Sequence, residues 1–176
     1  MVRKRKMTII TGFAIFAVLA LAVVFFGGVI GVSADNIEND ARKSQKINSA
    51  WDSHGTSNDE IAAFIFYNAT LDDHTFSLYL NRDGFSFGYF FREGGSSSII
   101  MNGILMLDYG SNGSAIFSMN KDRVAKIEYE AGDDVIEFSV DPSRPFAVVL
   151  PKNCSSVALY NYSGNDVSIT SVEGRG

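Results

Sequence analysis

The side chains best suited to chemistry in this 176-residue chain are Cys154, the two histidines His54 and His74, and the acidic pair Asp72-Asp73 next to His74. Asp72-Asp73-His74 sets three ligand or acid–base groups in consecutive positions. Neighbouring side chains on a strand point to opposite faces, whereas Asp suits turns, so the tripeptide reads as a turn. Asp133-Asp134 reads the same way, and neither has the spaced oxygen ligands of a calcium loop. The sequence therefore assigns no catalytic residue, no metal ligand and no cofactor.

A thiol enzyme would need Cys154, one of the histidines and an arginine such as Arg144 brought together. Membrane-anchored transpeptidases of the sortase type share this layout of an apolar N-terminus before a β-domain. However, Pro151-Lys152-Asn153-Cys154-Ser155 lacks their Thr-Leu-x-Thr-Cys pattern, and no arginine follows shortly after Cys154. A lone cysteine at a strand start behaves as a small apolar residue. No nucleophile elbow, phosphate-binding glycine loop or paired-histidine metal motif occurs. A Cys-dependent hydrolase or transpeptidase is accordingly the lesser alternative to a non-catalytic protein.

The aromatic residues carry the remaining signal. Fourteen Phe and seven Tyr crowd into alternating segments, where phenylalanine normally means core. Phe85, Phe87, Tyr89 and Phe91 share one face of a strand and Phe90 takes the other. If that sheet is covered on one side only, Phe90 and Tyr79 mark an exposed binding patch, with a glycan as one ligand class.

What must position these groups begins with a charge-free apolar run from Thr8 to Ala34, preceded by Arg3-Lys4-Arg5-Lys6. About 20 apolar residues cross a bilayer as a helix, and basic residues stay on the cytoplasmic side. The expected organisation is a cytoplasmic tail at 1–7, a transmembrane signal-anchor at 8–34, a polar and partly helical stalk at 35–60, and an extracytoplasmic domain at 61–176. Gly27 and Gly31 are spaced for close contact between two membrane helices. Two alternatives are a secreted subunit cleaved after Ala34 and a pilin-like subunit processed at Gly12-Phe13. The cleaved form fits Val32-Ser33-Ala34, but the run exceeds the usual length of a signal-peptide core.

Beyond the run stand 11 basic and 20 acidic residues, a net charge of −9, which argues against nucleic acid as a partner. A single cysteine excludes an intramolecular disulfide. Sequons at Asn68, Asn112, Asn153 and Asn161 are glycosylation acceptors by pattern alone.

In the stalk, Ile37, Ala41, Ser44, Ile47 and Trp51 recur at helical spacing. From Ile61 the chain reads as about nine short strands. Ile61–Tyr67 and Phe146–Leu150 are apolar throughout, as strands buried on both faces are. Hairpins are expected at Asn81-Arg82-Asp83-Gly84, at Gly132-Asp133-Asp134, and at Ser163–Asp166, joining Val157–Tyr162 to Val167–Val172. Ile99–Tyr109 reads as a strand or strand pair broken at Asn102-Gly103. The expected fold is an all-β, antiparallel sandwich, immunoglobulin-like or jelly-roll-like, behind one transmembrane helix. The expected role is binding or assembly with membrane or envelope proteins.

Overall fold

The computed structural model describes residues 15–22, 30–82 and 87–175. Among them, twelve strands form three four-stranded sheets. The first is a meander in the order β1-β2-β3-β4, with β1 Asp52–Ser57, β2 Ile61–Tyr67, β3 His74–Asn81 and β4 Tyr89–Gly95. The middle sheet runs β12-β5-β6-β9, from β5 Ile104–Asp108, β6 Ser114–Ser118, β9 Phe146–Leu150 and β12 Ser171–Gly174. The outer sheet runs β11-β10-β7-β8, from β7 Val124–Ala131, β8 Asp134–Ser139, β10 Cys154–Asn161 and β11 Asp166–Val167. Every pairing is antiparallel except β12 with β5.

The sheets stack because the strands of the middle sheet are apolar on both faces. In β6, Ala115 and Phe117 face the first sheet, where they meet Ile65 and Phe76 of the same cluster. Ile116 faces the other way, into a cluster with Ile127 and Leu159 of the outer sheet. In β9, Ala147 joins the first of these clusters while Phe146, Val148 and Leu150 join the second. Period-2 alternation therefore divides one run of apolar residues between two cores. The domain is three β-layers deep, where the sequence pattern suggests a two-sheet sandwich.

A fourth layer covers the far side of the first sheet. In β2, Ala62 and Phe66 point away from the middle sheet and pack under a helix, Ile37–Ser44, whose Ile37 and Ala41 are wholly buried. Its acidic residues stand in the first turn and its basic residues in the last, which complements the helix dipole. Arg42 then ties the helix to the chain entering β1. It pairs with Glu38 at 2.9 Å, donates to the Trp51 carbonyl at 3.1 Å and lies over the Phe66 ring at 4.9 Å. The segment 35–60 is thus part of the folded unit and not a free stalk. It also supplies β1, whose His54 Nδ1 and Thr56 Oγ1 accept the Ala147 and Val149 N–H groups on the open edge of β9.

Two further expectations are corrected. Residues 98–102 form a short helix instead of a strand, because Ser97 caps it by accepting the Ile99 N–H. The segment 167–172 does not complete a hairpin. It leaves β10 after two residues, and Thr170 exchanges hydrogen bonds with Ile104 as the chain crosses into the middle sheet.

The transmembrane helix is not supported as a continuous element over 8–34. Residues 15–22 are helical, but no helix among the described residues is long and apolar enough to cross a membrane. Ile30–Val32 is extended and bonded to the edge of the first sheet: Gly31 N–H donates to Phe87 O at 2.7 Å, and Val32 and Tyr89 exchange two bonds of 2.8 Å. A side chain would prevent this approach. A Cβ on Gly31 would lie 2.5 Å from the Tyr89 carbonyl oxygen, and one on Gly88, at φ +89°, 2.6 Å from that of Val32. Gly31 therefore serves a backbone crossing and lies outside any helix; its expected partner Gly27 lies outside the described residues.

Candidate functional site

The two sequence-marked aromatics lie on opposite faces of the first sheet. Tyr79 pairs in register with Phe91 and Leu80 with Phe90. Because the helix covers the Tyr79 face, Tyr79 is completely buried, and its hydroxyl donates to Asp40 Oδ2 at 2.7 Å. Burial first, then this bond to a carboxylate, pushes its phenol well above the usual tyrosine range. The condition for a shared patch, a sheet covered on one side, is not met, and Tyr79 is closed to a ligand.

Phe90 instead lines a cleft of about 500 Å³ at the open edge of β4. Leu80, Phe90 and Phe91 supply its apolar lining, and the loop Tyr109–Asn112 after β5 forms a wall. Arg82, Arg92 and Arg175 line it as well, and among the described residues no carboxylate does. The Arg82 guanidinium lies 4.2 Å from the centre of the Phe90 ring, a geometry that attracts cation to ring face. Arg175 is held by Glu173 at 2.6 Å and stands 3.7 Å from Glu93. Tyr109 donates its hydroxyl to Glu93; its burial, followed by that bond, raises its phenol far above the ordinary value. Asn112 donates to the Asn81 carbonyl at 3.3 Å, which closes the loop against β3. Three of the eleven basic residues of a strongly acidic domain thus meet around one aromatic-lined cleft. Such a site favours an anionic group that also has apolar surface.

The other candidates are engaged in structure. Asp72 accepts from Asn68 and Thr70, at 2.5 and 2.8 Å, and the Asn68 side chain accepts the Asp72 and Asp73 N–H groups. This is a self-contained turn. The Asn68 bond foremost, then that from Thr70, lowers the Asp72 carboxyl. His74 is 2 % exposed, and its Nε2 accepts the Ser97 N–H at 3.2 Å. Burial lowers the pKa of both histidines. Cys154 is half-buried at the start of β10, and desolvation raises its thiol, opposite to the shift that activates a nucleophile. It stands on the outer sheet while His54 and His74 stand on the first. Among the described residues, no three His, Cys, Asp or Glu side chains are grouped to hold a metal ion.

The sequence signal for the cleft was the isolated Phe90, facing opposite its aromatic neighbours. The arginines carried none, since Arg82, Arg92 and Arg175 are separated along the chain and meet only through β3, β4 and the end of β12. The chain matches no family model, no curated protein and no solved structure.

Proposed function

We propose that this chain is a single-pass membrane protein that displays a non-catalytic β-domain outside the cytoplasm for binding or assembly of an envelope complex. The observation that carries the reading is the helical segment within the charge-free run. Its Ile15, Phe16, Val18, Leu19 and Leu21 are each 56–71 % exposed, an apolar surface that requires a non-aqueous neighbour. With Ile30–Val32 drawn into the domain, the span is confined to the apolar residues before Ile30, still enough to cross the hydrocarbon core. The four basic residues ahead of it favour a cytoplasmic N-terminus.

Cleavage after Ala34 would discard the Gly31 bond to Phe87 and the Val32 bonds to Tyr89, and strip Val32 from the cluster around Tyr89. That loss favours an uncleaved anchor over the secreted alternative. The binding role rests on the cleft at Phe90, where ligand-like chemistry gathers without a nucleophile. In-cell crosslinking of the C-terminally tagged chain, followed by mass spectrometry, tests the assembly role. A reproducible set of envelope proteins is expected, and recovery of the tagged chain alone would remove it.

A further inference from the structure

The fold covers two of its sheet edges and leaves a third open. The edge of β9 is capped by His54 and Thr56, and the edge of β4 is met at Tyr89 by Val32. β8 is the last strand of the outer sheet, and its residues 134–137 and 139 are exposed, Val135 by 66 % and Ile136 by 40 %. Opposed residues of an antiparallel pair alternate between hydrogen-bonded and non-hydrogen-bonded. Val140 donates to the Ala125 carbonyl at 3.0 Å, which makes Phe138–Ile127 and Ile136–Tyr129 bonded pairs of the β7–β8 ladder. Val135, Glu137 and Ser139 therefore turn their N–H and carbonyl groups to the open side, where no bond among the described residues reaches them.

The space beside this edge is shaped for side chains. A groove of about 370 Å³ is lined by Tyr129 and Phe138 of the outer sheet, Val148 and Val149 of β9, Pro151, and Thr56 of β1. Ile136 shares the face of Phe138, which lines the groove, while Val135 and Glu137 take the opposite face. The β7–β8 hairpin holds five carboxylates, Glu128, Glu130, Asp133, Asp134 and Glu137, against one cation, Lys126. Lys126 pairs with Glu128 at 2.7 Å and Glu137 at 3.5 Å, so the hairpin keeps a net negative charge.

We infer that the open edge of β8 is a docking site for an extended segment of a partner protein in which basic and apolar residues alternate. The segment adds as a further strand. Its backbone takes the free groups of Val135, Glu137 and Ser139, one set of side chains enters the groove, and the alternate set lies beside Val135 and Glu137. Charge selects this occupant over a second copy of the chain. Two β8 strands side by side would bring the Asp134 and Glu137 of both copies together, a repulsive pairing, whereas lysine or arginine on the outer face is attracted. The site is distinct from the Phe90 cleft and does not depend on the anchor. It supplies the proposed assembly role with a surface of its own.

The test titrates the full chain in detergent with a short fluorescein-labelled peptide alternating valine and lysine, read by fluorescence anisotropy. The expected result is saturable binding, with none by a valine–glutamate counterpart and none by the same valine–lysine peptide N-methylated throughout. Glu137→Lys, at an exposed position, should weaken binding roughly five- to tenfold, as attraction at one cross-strand position becomes repulsion. Val135→Pro removes an N–H that the β7–β8 ladder does not use and should abolish binding, and unchanged urea midpoints show that both variants fold. Equal binding of the N-methylated peptide, or binding that Val135→Pro leaves intact in a folded chain, overturns strand addition. An affinity unmoved by Glu137→Lys overturns the charge selection, and absence of saturable binding removes the site while the cleft and the anchor stand. Sedimentation of the chain alone as a dimer that Val135→Pro dissociates would give the edge to a second copy.

Discussion

Replacing Ile37 by alanine asks whether the Ile37–Ser44 helix is structural or an appendage. Ile37 is wholly buried among Ala41, Ala62, Phe66, Tyr79 and Tyr89. Truncating a buried isoleucine to alanine costs about 2–5 kcal/mol, through lost transfer energy and the cavity left behind. The helix stands on the far face of the sheet and part of its surface is open, so the neighbourhood can relax and a value of about 3 kcal/mol is expected. For a domain of this size that lowers the thermal midpoint by roughly 6–12 °C. Urea unfolding of the full chain in detergent, followed by fluorescence of the single Trp51, reads the change, because Trp51 packs against the same cluster. Lys43→Ala, on the exposed side of the helix, serves as control and leaves the midpoint in place. If Ile37→Ala unfolds together with the parent chain, the helix is a free stalk and the four-layer account fails.

Single contacts give further expectations. Tyr79→Phe removes the bond to Asp40 and leaves a carboxylate without its donor, a loss of about 1.5–3 kcal/mol in the urea midpoint; an unaltered midpoint would show that the bond contributes nothing. Tyr79 and Tyr109 have raised phenol values, so their contribution is complete below the unfolded value near 10 and is lost as pH rises through the folded one. Absorbance titration should therefore show these two tyrosines ionising only with unfolding, and early ionisation of all seven would contradict their burial. Both histidines are lowered, so the unfolded chain binds more protons and stability falls as pH drops below about 6.5. The slope between pH 7 and 5 should flatten in His54→Gln and His74→Gln, and an equal slope in all three chains would refute the assignment. Gly31→Val drives a Cβ into the Tyr89 carbonyl and should free the Val32 and Tyr89 amides to fast hydrogen exchange; retained protection would mean that the crossing tolerates a side chain.

Sequence periodicity revealed strands better than layers. Ile61–Tyr67 and Phe146–Leu150 could be read as buried on both faces, since no polar residue interrupts either. Such a run reports two apolar neighbours without naming them, so the helix over β2 and the outer sheet over β9 stayed hidden. Asp52–Ser57 has no apolar period at all; it is a strand because β2 offers it an edge and its own side chains cap β9. The parallel pairing of β12 with β5 joins residues far apart in the chain, for which local patterns hold no information. The helical spacing from Ile37 to Trp51 was legible, although the helix stops at Ser44 and Lys46 turns the chain at φ 55°. Ile47 and Trp51 nevertheless pack against the cluster that the helix begins.

The candidate site was legible in one residue. Phe90 stood out because it broke the facing of its neighbours, and the structure puts it in the cleft. Tyr79, marked with it as the other half of the patch, lies beneath the helix. The difference is decided by residues 35–60, whose polarity suggested a linker and whose buried Ile37 and Ala41 make them a lid on one face of the sheet. Hydropathy continues through Val32, but two glycines and three backbone bonds take Ile30–Val32 into the domain.

The central claim, an anchored domain displayed outside the cytoplasm, is tested most directly by the position of both ends of the chain in intact cells. An N-terminal sequence determination and protease digestion of a C-terminal tag, before and after permeabilisation, supply it together. The account predicts a mature chain that begins ahead of the apolar run and retains it, and that the tag is digested in intact cells lacking an outer barrier. A mature chain that starts at Asp35, or a tag cut only after the inner membrane is opened, would contradict it.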